Sequence, residues 1–347
     1  MKLIDVLVLA IRAGASDVHL TVASRPVLRV NGTLVKLEGV PVLTTSDTEE
    51  FFYSIADTKV RERFERSGEV DFSCSVAEVG RFRCNAFRQR GAIALSIRIV
   101  PHSIPSLEEL GVPAIVGEMV CQKSGLFLVT GPTGSGKSST LAAIVDRINS
   151  EQRCHIITLE DPIEYLHRHK QAIVNQRELG VDTRSFAAAL RAALRQDPDV
   201  ILVGEMRDLE TISVALTAAE TGHLILATLH TADVSQAVER IVDEFPPYQR
   251  EQVKVQLASV LVGVVSQQLV PRADGSGRVA AFEVLVATPV VKNLIREGKT
   301  HQILSAIQTG VRYGMRTMDS SLYDLLQKGL ISEEEFRTRA KAPSNFG

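Results

Sequence analysis

The chain has 347 residues with 39 basic and 41 acidic side chains, a formal net charge of −2, and we expect two domains because one hydrophobic core rarely serves so long a chain. The balanced charge and the aromatic content of 5% argue against a protein whose main task is to grip nucleic acid, so we expect no direct nucleic-acid partner. No C-x-x-C pair occurs, so we expect no zinc and no disulfide framework, and free thiols fit a reducing cytosol; the cysteines are Cys74, Cys84, Cys121 and Cys154.

Residues 1–100 have the pattern of a small α/β domain. Ile4–Ala13 predicts a helix that ends at Gly14. Two short apolar runs then flank Asn31-Gly32, and a β-hairpin is predicted there because both turn residues tolerate a positive φ. The predicted strands of this domain are Val27–Val30, Thr33–Val35, Val70–Val76, Arg81–Phe87 and Ala92–Val100.

A linker is predicted at residues 101–112, where Pro101–Ser106 places two prolines among polar residues. Beyond it, residues 113–270 alternate short apolar runs with helical patterns, which indicates a mostly parallel sheet covered by helices on both faces. From about Pro271 to residue 347 the pattern becomes mainly helical. The predicted strands of the parallel sheet are Leu126–Val129, His155–Leu159, Val200–Val203 and Leu224–Leu229.

Two apolar stretches resemble export or membrane segments, and neither qualifies. Leu3–Ile11 is too short for an export signal and is interrupted by Asp5. Val255–Val270 contains three glutamines and two serines, which disqualify it as a membrane span. We therefore expect a soluble, cytoplasmic protein that can still dock on a membrane through a partner.

The most informative motif is Gly131–Ser138, which matches the phosphate-binding pattern G-x-x-x-x-G-K-[ST] between a predicted strand and a predicted helix. Its glycines let the backbone curl so that N–H groups face phosphate oxygens. Lys137 is expected to reach the β- and γ-phosphates, and the Ser138 hydroxyl to ligate Mg²⁺. The competing interpretation is a glycine-rich turn with a solvated lysine. We expect a nucleoside triphosphate to contact Thr133, Gly134, Ser135, Gly136, Lys137, Ser138 and Ser139.

Acidic residues follow two of the predicted strands, at the edge of the sheet where ligands bind. Glu205 is a candidate for organising Mg²⁺ and water, but Gly204 stands where a general Walker B strand has Asp, so another acid is expected to share this task. A second cluster follows His155–Leu159 and can position and deprotonate an attacking water. Spacing does not show which member is the base, and a solvated acidic loop is the alternative. The cluster consists of Glu160, Asp161 and Glu164.

His223 and His230 bracket the predicted strand Leu224–Leu229. Seven residues of strand span roughly 20 Å, so the two side chains cannot bind one metal or one phosphate within a subunit. His230 lies at the carboxyl end, near the nucleotide, and is expected to sense the γ-phosphate. His223 lies at the opposite end, where a subunit contact and a hydrogen-bonded core histidine both remain open.

Arginines crowd the predicted strands of the first domain. Arg81 and Arg83 share one face by strand alternation, and Arg98 lies in another of these strands. A solvated edge is the default interpretation. The sharper hypothesis is that some of these side chains act as arginine fingers on a nucleotide bound between domains or subunits.

Together these segments resemble the secretion ATPase superfamily, specifically the type IV pilus retraction (PilT-type) ATPases, over essentially the whole chain. Val290-Val291-Lys292 stands where that family usually has Ala-Ile-Arg, while the core Asn293–Glu297 of the same motif is intact. The matching segments are Ser16–Leu20, Gly131–Ser138, Ile156–Tyr165, Leu190–Asp208, Thr221–Thr231 and Val290–Ile303.

The resemblance implies a homohexameric ring with a PAS-like domain at 1–100, a RecA-like ATPase core at 113–270 and a helical region at 271–347. ATP and Mg²⁺ would bind between the two domains, and arginines of the first domain would complete the site. In the family pattern Glu164 is the catalytic base and Glu205 the Walker B glutamate. The ring would turn on the inner-membrane platform protein of the pilus machine, so the chain would lie at the cytoplasmic face of that membrane.

Within the superfamily the sequence favours retraction. Extension ATPases and type II secretion ATPases usually carry a four-cysteine zinc motif and a longer N-terminal region, and we expect neither here. An accessory retraction paralogue, itself a candidate partner, and a type IV secretion ATPase remain open as alternatives. From a different class, a nucleotide-gated scaffold would barely hydrolyse ATP, but the intact Lys137, Glu164 and Glu205 argue against it.

Overall fold

The computed structural model describes residues 2–30, 32–77, 79–101 and 103–345. The chain divides into two compact units. The first comprises Met1–Ser103 with Glu164–Leu166, and the second comprises Ile104–Ile163 with His167–Gly347. The division after Ser103 lies inside the segment 101–112 for which the sequence predicts a linker. The grouping of Glu164–Leu166 with the first unit was not foreseen from the sequence.

The first unit is an antiparallel sheet with helices packed against it. Its strand order is β3-β2-β1-β6-β5-β4, and every neighbouring pair is antiparallel. In chain order the elements are α1 (Leu3–Arg12), β1 (Ala15–Leu20), β2 (Val27–Val30), β3 (Thr33–Lys36), α2 (Thr45–Ile55), α3 (Thr58–Ser67), β4 (Glu69–Val76), β5 (Gly80–Gln89) and β6 (Ala92–Ile99).

Local signals and burial explain these elements. α2 begins at a capping box, in which the Thr44 hydroxyl accepts from the Asp47 N–H and the Asp47 carboxylate accepts from the Thr44 N–H. Aromatic side chains from α2, α3 and β5, among them Phe52, Phe64 and Phe82, fill the core. The predicted hairpin is confirmed by the pairing of β2 with β3, although its turn residue Asn31 lies outside the described residues.

The second unit is built around a mostly parallel sheet, with strand order β13-β12-β7-β11-β10-β8-β9 and only β13 antiparallel to its neighbour. Its elements are α4 (Ala114–Met119), β7 (Gly125–Thr130), α5 (Lys137–Glu151), β8 (His155–Glu160), β9 (Ile173–Glu178), α6 (Phe186–Ala193), β10 (Val200–Val203), α7 (Leu209–Glu220), β11 (Leu224–Leu229), α8 (Val234–Asp243), α9 (Pro247–Val260), β12 (Leu261–Pro271), β13 (Arg278–Val286), α10 (Pro289–Arg296), α11 (Ile303–Thr309), α12 (Met318–Gln327) and α13 (Glu333–Arg339).

The four predicted strands of this sheet are confirmed as β7, β8, β10 and β11. Every residue of β7, β10 and β11 is buried, because helices cover both faces of a parallel sheet. Two hydrophobic clusters result, one on each face. Full burial explains why these strands are continuous apolar runs that the sequence displays clearly. Within the described residues we find no helix with both the length and the hydropathy of a membrane span.

The prediction of a mainly helical region from residue 271 is wrong at its start, because Arg278–Val286 forms strand β13. The segment contains the helix formers Ala280, Ala281 and Glu283. It nevertheless pairs with β12 along its whole length, from Arg278 opposite Pro271 to Val286 opposite Gly263. Pairing and burial of its central residues outweigh a weak local helix preference. Helices dominate only from α10 onward.

Candidate nucleotide-binding site

Residues 131–136 connect β7 to α5 with a backbone that few side chains allow. The φ angle is +142° at Gly131, +78° at Gly134 and +90° at Gly136, and glycine adopts such values at low cost. Gly136 is the N-cap of α5, whose first turn carries the exposed Ser138 and the half-buried Ser139. The loop therefore leads into a helix N-terminus, where unpaired N–H groups and the helix dipole favour a phosphate.

The Lys137 ammonium group lies against this loop. Its Nζ donates to the carbonyl oxygens of Gly131, at 2.7 Å, and Pro132, at 3.1 Å. The Ser135 hydroxyl is buried, and within the described part of the chain it has no hydrogen-bond partner. Buried polar groups are costly when they lack a partner, so this arrangement of cation, hydroxyl and glycine backbone fits the oxygens of a triphosphate.

His230, which directly follows β11, links the loop to the end of β10. Its Nε2 lies 3.3 Å from Glu205 Oε2, and its Nδ1 lies 3.4 Å from Thr133 Oγ1 and 3.5 Å from Lys137 Nζ. A carboxylate only accepts, so we assign the ring proton to Nε2 and leave Nδ1 as an acceptor for Lys137 or Thr133. The structure thus brings together Glu205 and His230, two strand-end residues that lie 25 positions apart in the sequence.

Arg207 is the second partner of Glu205, with 2.6 Å between Nη2 and Oε2. Burial raises the pKa of the Glu205 carboxyl, but the hydrogen bond from Arg207, the charge of His230 when protonated and the Arg207 charge outweigh it, so the pKa lies below its usual value. The same contact raises the pKa of Arg207. Glu205 is therefore ionised at neutral pH, as a group that organises Mg²⁺ or its water ligands must be.

Gly204 occupies the position where a general Walker B strand has Asp, and the structure gives a physical reason for the glycine. Its N–H donates to the Leu159 carbonyl at 2.7 Å, and its own carbonyl accepts from Thr228 Oγ1 at 2.5 Å. A Cβ at this position would lie 3.0 Å from the same Leu159 oxygen and 3.3 Å from Glu160 Cα. A side chain at position 204 would require the backbone at the end of β8 to move by a few tenths of an ångström, which disfavours an aspartate there.

The acids after β8 differ in their surroundings. Glu160 Oε1 accepts from Thr158 Oγ1 at 2.6 Å and from Gln176 Nε2 at 3.0 Å, so this side chain anchors the strand end. Asp161 and Glu164 are exposed, and Glu164 belongs to the short segment that groups with the first unit. Of the three, Glu164 and Asp161 remain available to a ligand.

Side chains of β9 hold the loop that carries Glu164. The Ile163 N–H donates to Glu178 Oε2 at 3.2 Å, and the His167 N–H donates to Gln176 Oε1 at 2.8 Å. Glu178 is buried. The residues on either side of the segment 164–166 are therefore fixed to β9 by hydrogen bonds.

The predicted arginines lie on one face of the sheet in the first unit. Arg83 pairs directly with Arg98 across β5 and β6, and Phe82 and Cys84, which alternate with Arg81 and Arg83 along β5, are buried in the core. Arg98 Nε donates to Asp17 Oδ1 at 2.9 Å. Burial raises the pKa of Asp17, but hydrogen bonds from Arg98 and Ser16 and nearby positive charges outweigh it and lower the pKa.

His223 lies at the other end of β11 from His230, as the sequence predicts. Its Nδ1 is 3.0 Å from the Ala218 carbonyl oxygen, and its own carbonyl accepts from the Gly125 N–H at 3.0 Å. These contacts join the end of α7 to the start of β7. A structural role therefore accounts for His223 within this chain.

Comparison with known proteins identifies the family. A model described as type II/IV secretion system protein matches residues 1–280. The type IV pilus retraction ATPase PilT of Pseudomonas aeruginosa is 47% identical over 346 residues that cover 100% of both chains. The chain belongs to the type II/IV secretion system protein family. It is an ATPase of the PilT type, and the α/β fold with a RecA-like P-loop unit is that of the family.

Two further relatives of this secretion ATPase bear on its role. A crystal structure of the pilus retraction motor PilT with bound ADP has a TM-score of 0.91 at 49% identity and covers 99% of this chain and 98% of that chain. The type IV pilus ATPase PilU of Pseudomonas aeruginosa is 41% identical over 346 residues, which cover 100% of this chain and 90% of the relative. Both pilus proteins thus match over 99% or more of this chain.

Several residues of the secretion ATPase site escaped prediction from the sequence. Arg207 follows Glu205 by two positions, so a basic residue beside a strand-end acid was a signal that could have indicated it. Gln176 and Glu178 lie on β9, a polar edge strand without the apolar pattern by which strands are recognised. Their contacts depend on the pairing of β8 with β9, which no local pattern encodes.

Proposed function

We propose that this secretion ATPase is a motor that powers type IV pilus retraction and hence twitching motility. The observation that supports this most is the 47% identity to a pilus retraction ATPase over the whole of both chains. In this proposal the chain assembles as a homohexamer at the cytoplasmic face of the inner membrane. Hydrolysis of ATP then rotates or remodels the membrane platform protein from which the pilus is built.

The catalytic assignment rests on the contacts around the P-loop. Lys137 and the loop N–H groups bind the β- and γ-phosphates, and Lys137 balances the charge that grows on the γ-phosphate during transfer. The Ser138 hydroxyl and, through water, the ionised Glu205 would hold Mg²⁺, which would neutralise charge on the phosphates. Glu164 accepts the proton of the attacking water. His230 donates to Glu205 and faces Lys137 and Thr133, so it is placed to sense whether a γ-phosphate is present.

We also propose that an arginine of the first unit takes part in ATP hydrolysis. Arg81, Arg83 and Arg98 lie on one sheet face, and Arg83 lies opposite Ser73 and Arg98 in the neighbouring strands. Arg98 forms an ion pair with Asp17, so its side chain is less free to move than that of Arg83. We assign Arg83 first, then Arg81, as the side chain that completes a nucleotide site at a domain or subunit boundary.

An accessory retraction motor is the second candidate, because the PilU relative also matches the full length of the chain. Complementation separates the two. In a piliated host that lacks its principal retraction ATPase but retains the accessory one, a principal motor restores twitching zones on agar. An accessory motor leaves the zones absent in that host and enlarges them only when a principal motor is also present.

A further inference from the structure

Gln267 lies at the centre of β12 with its side chain buried against the P-loop. Its Nε2 donates to the carbonyl oxygen of Ser135 at 2.8 Å. Its Oε1 accepts from Thr140 Oγ1 at 2.7 Å. A carbonyl oxygen can only accept, so the amide nitrogen must face Ser135 and the amide oxygen must face Thr140. One side chain thus joins the last turn of the loop to the first turn of α5.

The glycines of the loop make this close approach feasible. A Cβ on Gly131 would lie 2.3 Å from the Gln267 backbone oxygen, and a Cβ on Gly136 would lie 2.8 Å from Gln267 Nε2. Both distances are shorter than any side-chain carbon accepts. The loop therefore packs closely against Gln267 at two glycines and is also joined to it by the hydrogen bond to Ser135.

The hydrogen bond to Ser135 also determines the direction of the next N–H group. The peptide between Ser135 and Gly136 is planar and trans, so its C=O and N–H point in opposite directions. Because Gln267 holds the C=O toward β12, the Gly136 N–H points away from β12. That N–H is one of the donors on which a phosphate-binding loop depends.

We infer that Gln267 is a positioning residue for the nucleotide: it fixes the Ser135–Gly136 peptide in the orientation that binds phosphate. It acts through the backbone and does not itself contact the nucleotide. The inference rests on the ATPase activity of the family and is independent of what the motor moves. The close approach to the backbone of residue 267 is a second reason for glycine at position 131, beyond its φ angle.

Titration calorimetry of the full chain with ADP and Mg²⁺ tests this role, with Gln267→Leu as the variant and Gln268→Leu as the matched control. Gln268 is half-buried on the same strand and points to the opposite face. Gln267→Leu is expected to weaken ADP binding by about tenfold or more, and Gln268→Leu by less than about twofold. Calorimetry reports the affinity of folded molecules, so lower stability alone does not produce this difference.

Gln267→Glu supplies a readout that a merely structural role does not move. As a carboxylate the new side chain has no donor for Ser135, whereas the protonated acid can donate to Ser135 and accept from Thr140. Burial raises the pKa of such a carboxyl. We expect ADP binding by Gln267→Glu to recover toward the wild-type value as the pH falls from about 8 to about 6. Affinity of folded Gln267→Leu within about twofold of wild type, or a Gln267→Glu profile parallel to that of wild type, would overturn the inference.

Discussion

Glu205 shows how a single residue acquires its chemistry from its neighbours. Its carboxylate is bound by Arg207 and contacted by His230, and these contacts keep it ionised although the side chain is mostly buried. A lowered pKa means that the ionised form persists as the pH falls, until the folded-state pKa is reached. The pH below which the rate of ATP hydrolysis falls should therefore reflect the pKa of Glu205 in contact with Arg207.

Removing Arg207 should raise that pH. Arg207→Ala removes the hydrogen bond and the charge of Arg207, which both lower the Glu205 pKa, so that pKa should rise and activity should begin to fall at a higher pH than in the wild type. The pH–rate profile of kcat measures the effect. Arg191→Ala removes an exposed arginine that pairs with Glu210 instead and should leave that pH unchanged. An unchanged profile in Arg207→Ala would show that Glu205 does not limit turnover.

Glu164→Gln tests the proposed base, because it keeps the shape of the side chain but removes the proton acceptor. ATP should still bind, while kcat should fall by about 10²-fold or more. Glu160→Gln is the matched control, because the Glu160 side chain already accepts hydrogen bonds from Thr158 and Gln176. For this variant we expect kcat to fall by less than about tenfold. If nucleotide binding by Glu164→Gln is lost together with turnover, Glu164 is structural and the base lies elsewhere.

Among the structural elements, those defined by residues close together in the sequence could be predicted, and those defined by contacts between distant residues could not. The P-loop is encoded by consecutive residues, so the sequence displays it completely. Glu205 and His230 could be placed near the loop because parallel strands end at a common edge of the sheet. Gln267 could not, because its contacts with Ser135 and Thr140 bridge 132 and 127 positions. β13 was missed for a similar reason: only its partner strand makes it a strand.

The sequence of helix α10 predicts one apolar face, formed by Val290, Val291, Leu294 and Ile295, and the structure buries only part of it. Thr288 caps the helix, and Val291 and Ile295 are buried, but Val290 is 64% exposed. The polar face presents Asn293, whose Nδ2 donates to Glu297 Oε1 at 2.8 Å. Caps and the inner stripe are thus readable from sequence, whereas the width of the buried stripe depends on the neighbouring helices.

Asn293→Ala combined with Arg296→Ala tests whether this polar face transmits motion. Both side chains are exposed on α10, and surface substitutions usually change stability little. The fold, the assembly and roughly half or more of the ATPase activity should therefore be retained. Pilus retraction should fail. Turnover assays and sedimentation of the purified double variant, together with twitching assays in cells, give the comparison. Loss of ATPase activity in a folded double variant would place the segment in the catalytic machinery.

We expect the two units to contribute differently to the ATPase activity: the second unit binds the nucleotide, and the first assists its hydrolysis. If arginines of the first unit complete the site, a fragment that begins near Pro105 should bind ADP through its own P-loop yet hydrolyse ATP at least about tenfold more slowly than the full chain. Arg83→Ala in the full chain should reproduce the slow hydrolysis without loss of binding. A fragment with full activity would rule out a contribution from arginines of the first unit.

The central claim is that ATP hydrolysis at this P-loop drives pilus retraction. Its most direct test is to image fluorescently labelled pili on cells that lack their own retraction ATPases and express either this chain or its Lys137→Ala variant. We expect pili to shorten with the wild-type chain and to remain extended with Lys137→Ala, because the variant lacks the cation that the γ-phosphate requires. Pili that stay extended with an expressed, ATP-hydrolysing wild-type chain, or that shorten equally with Lys137→Ala, would contradict the account.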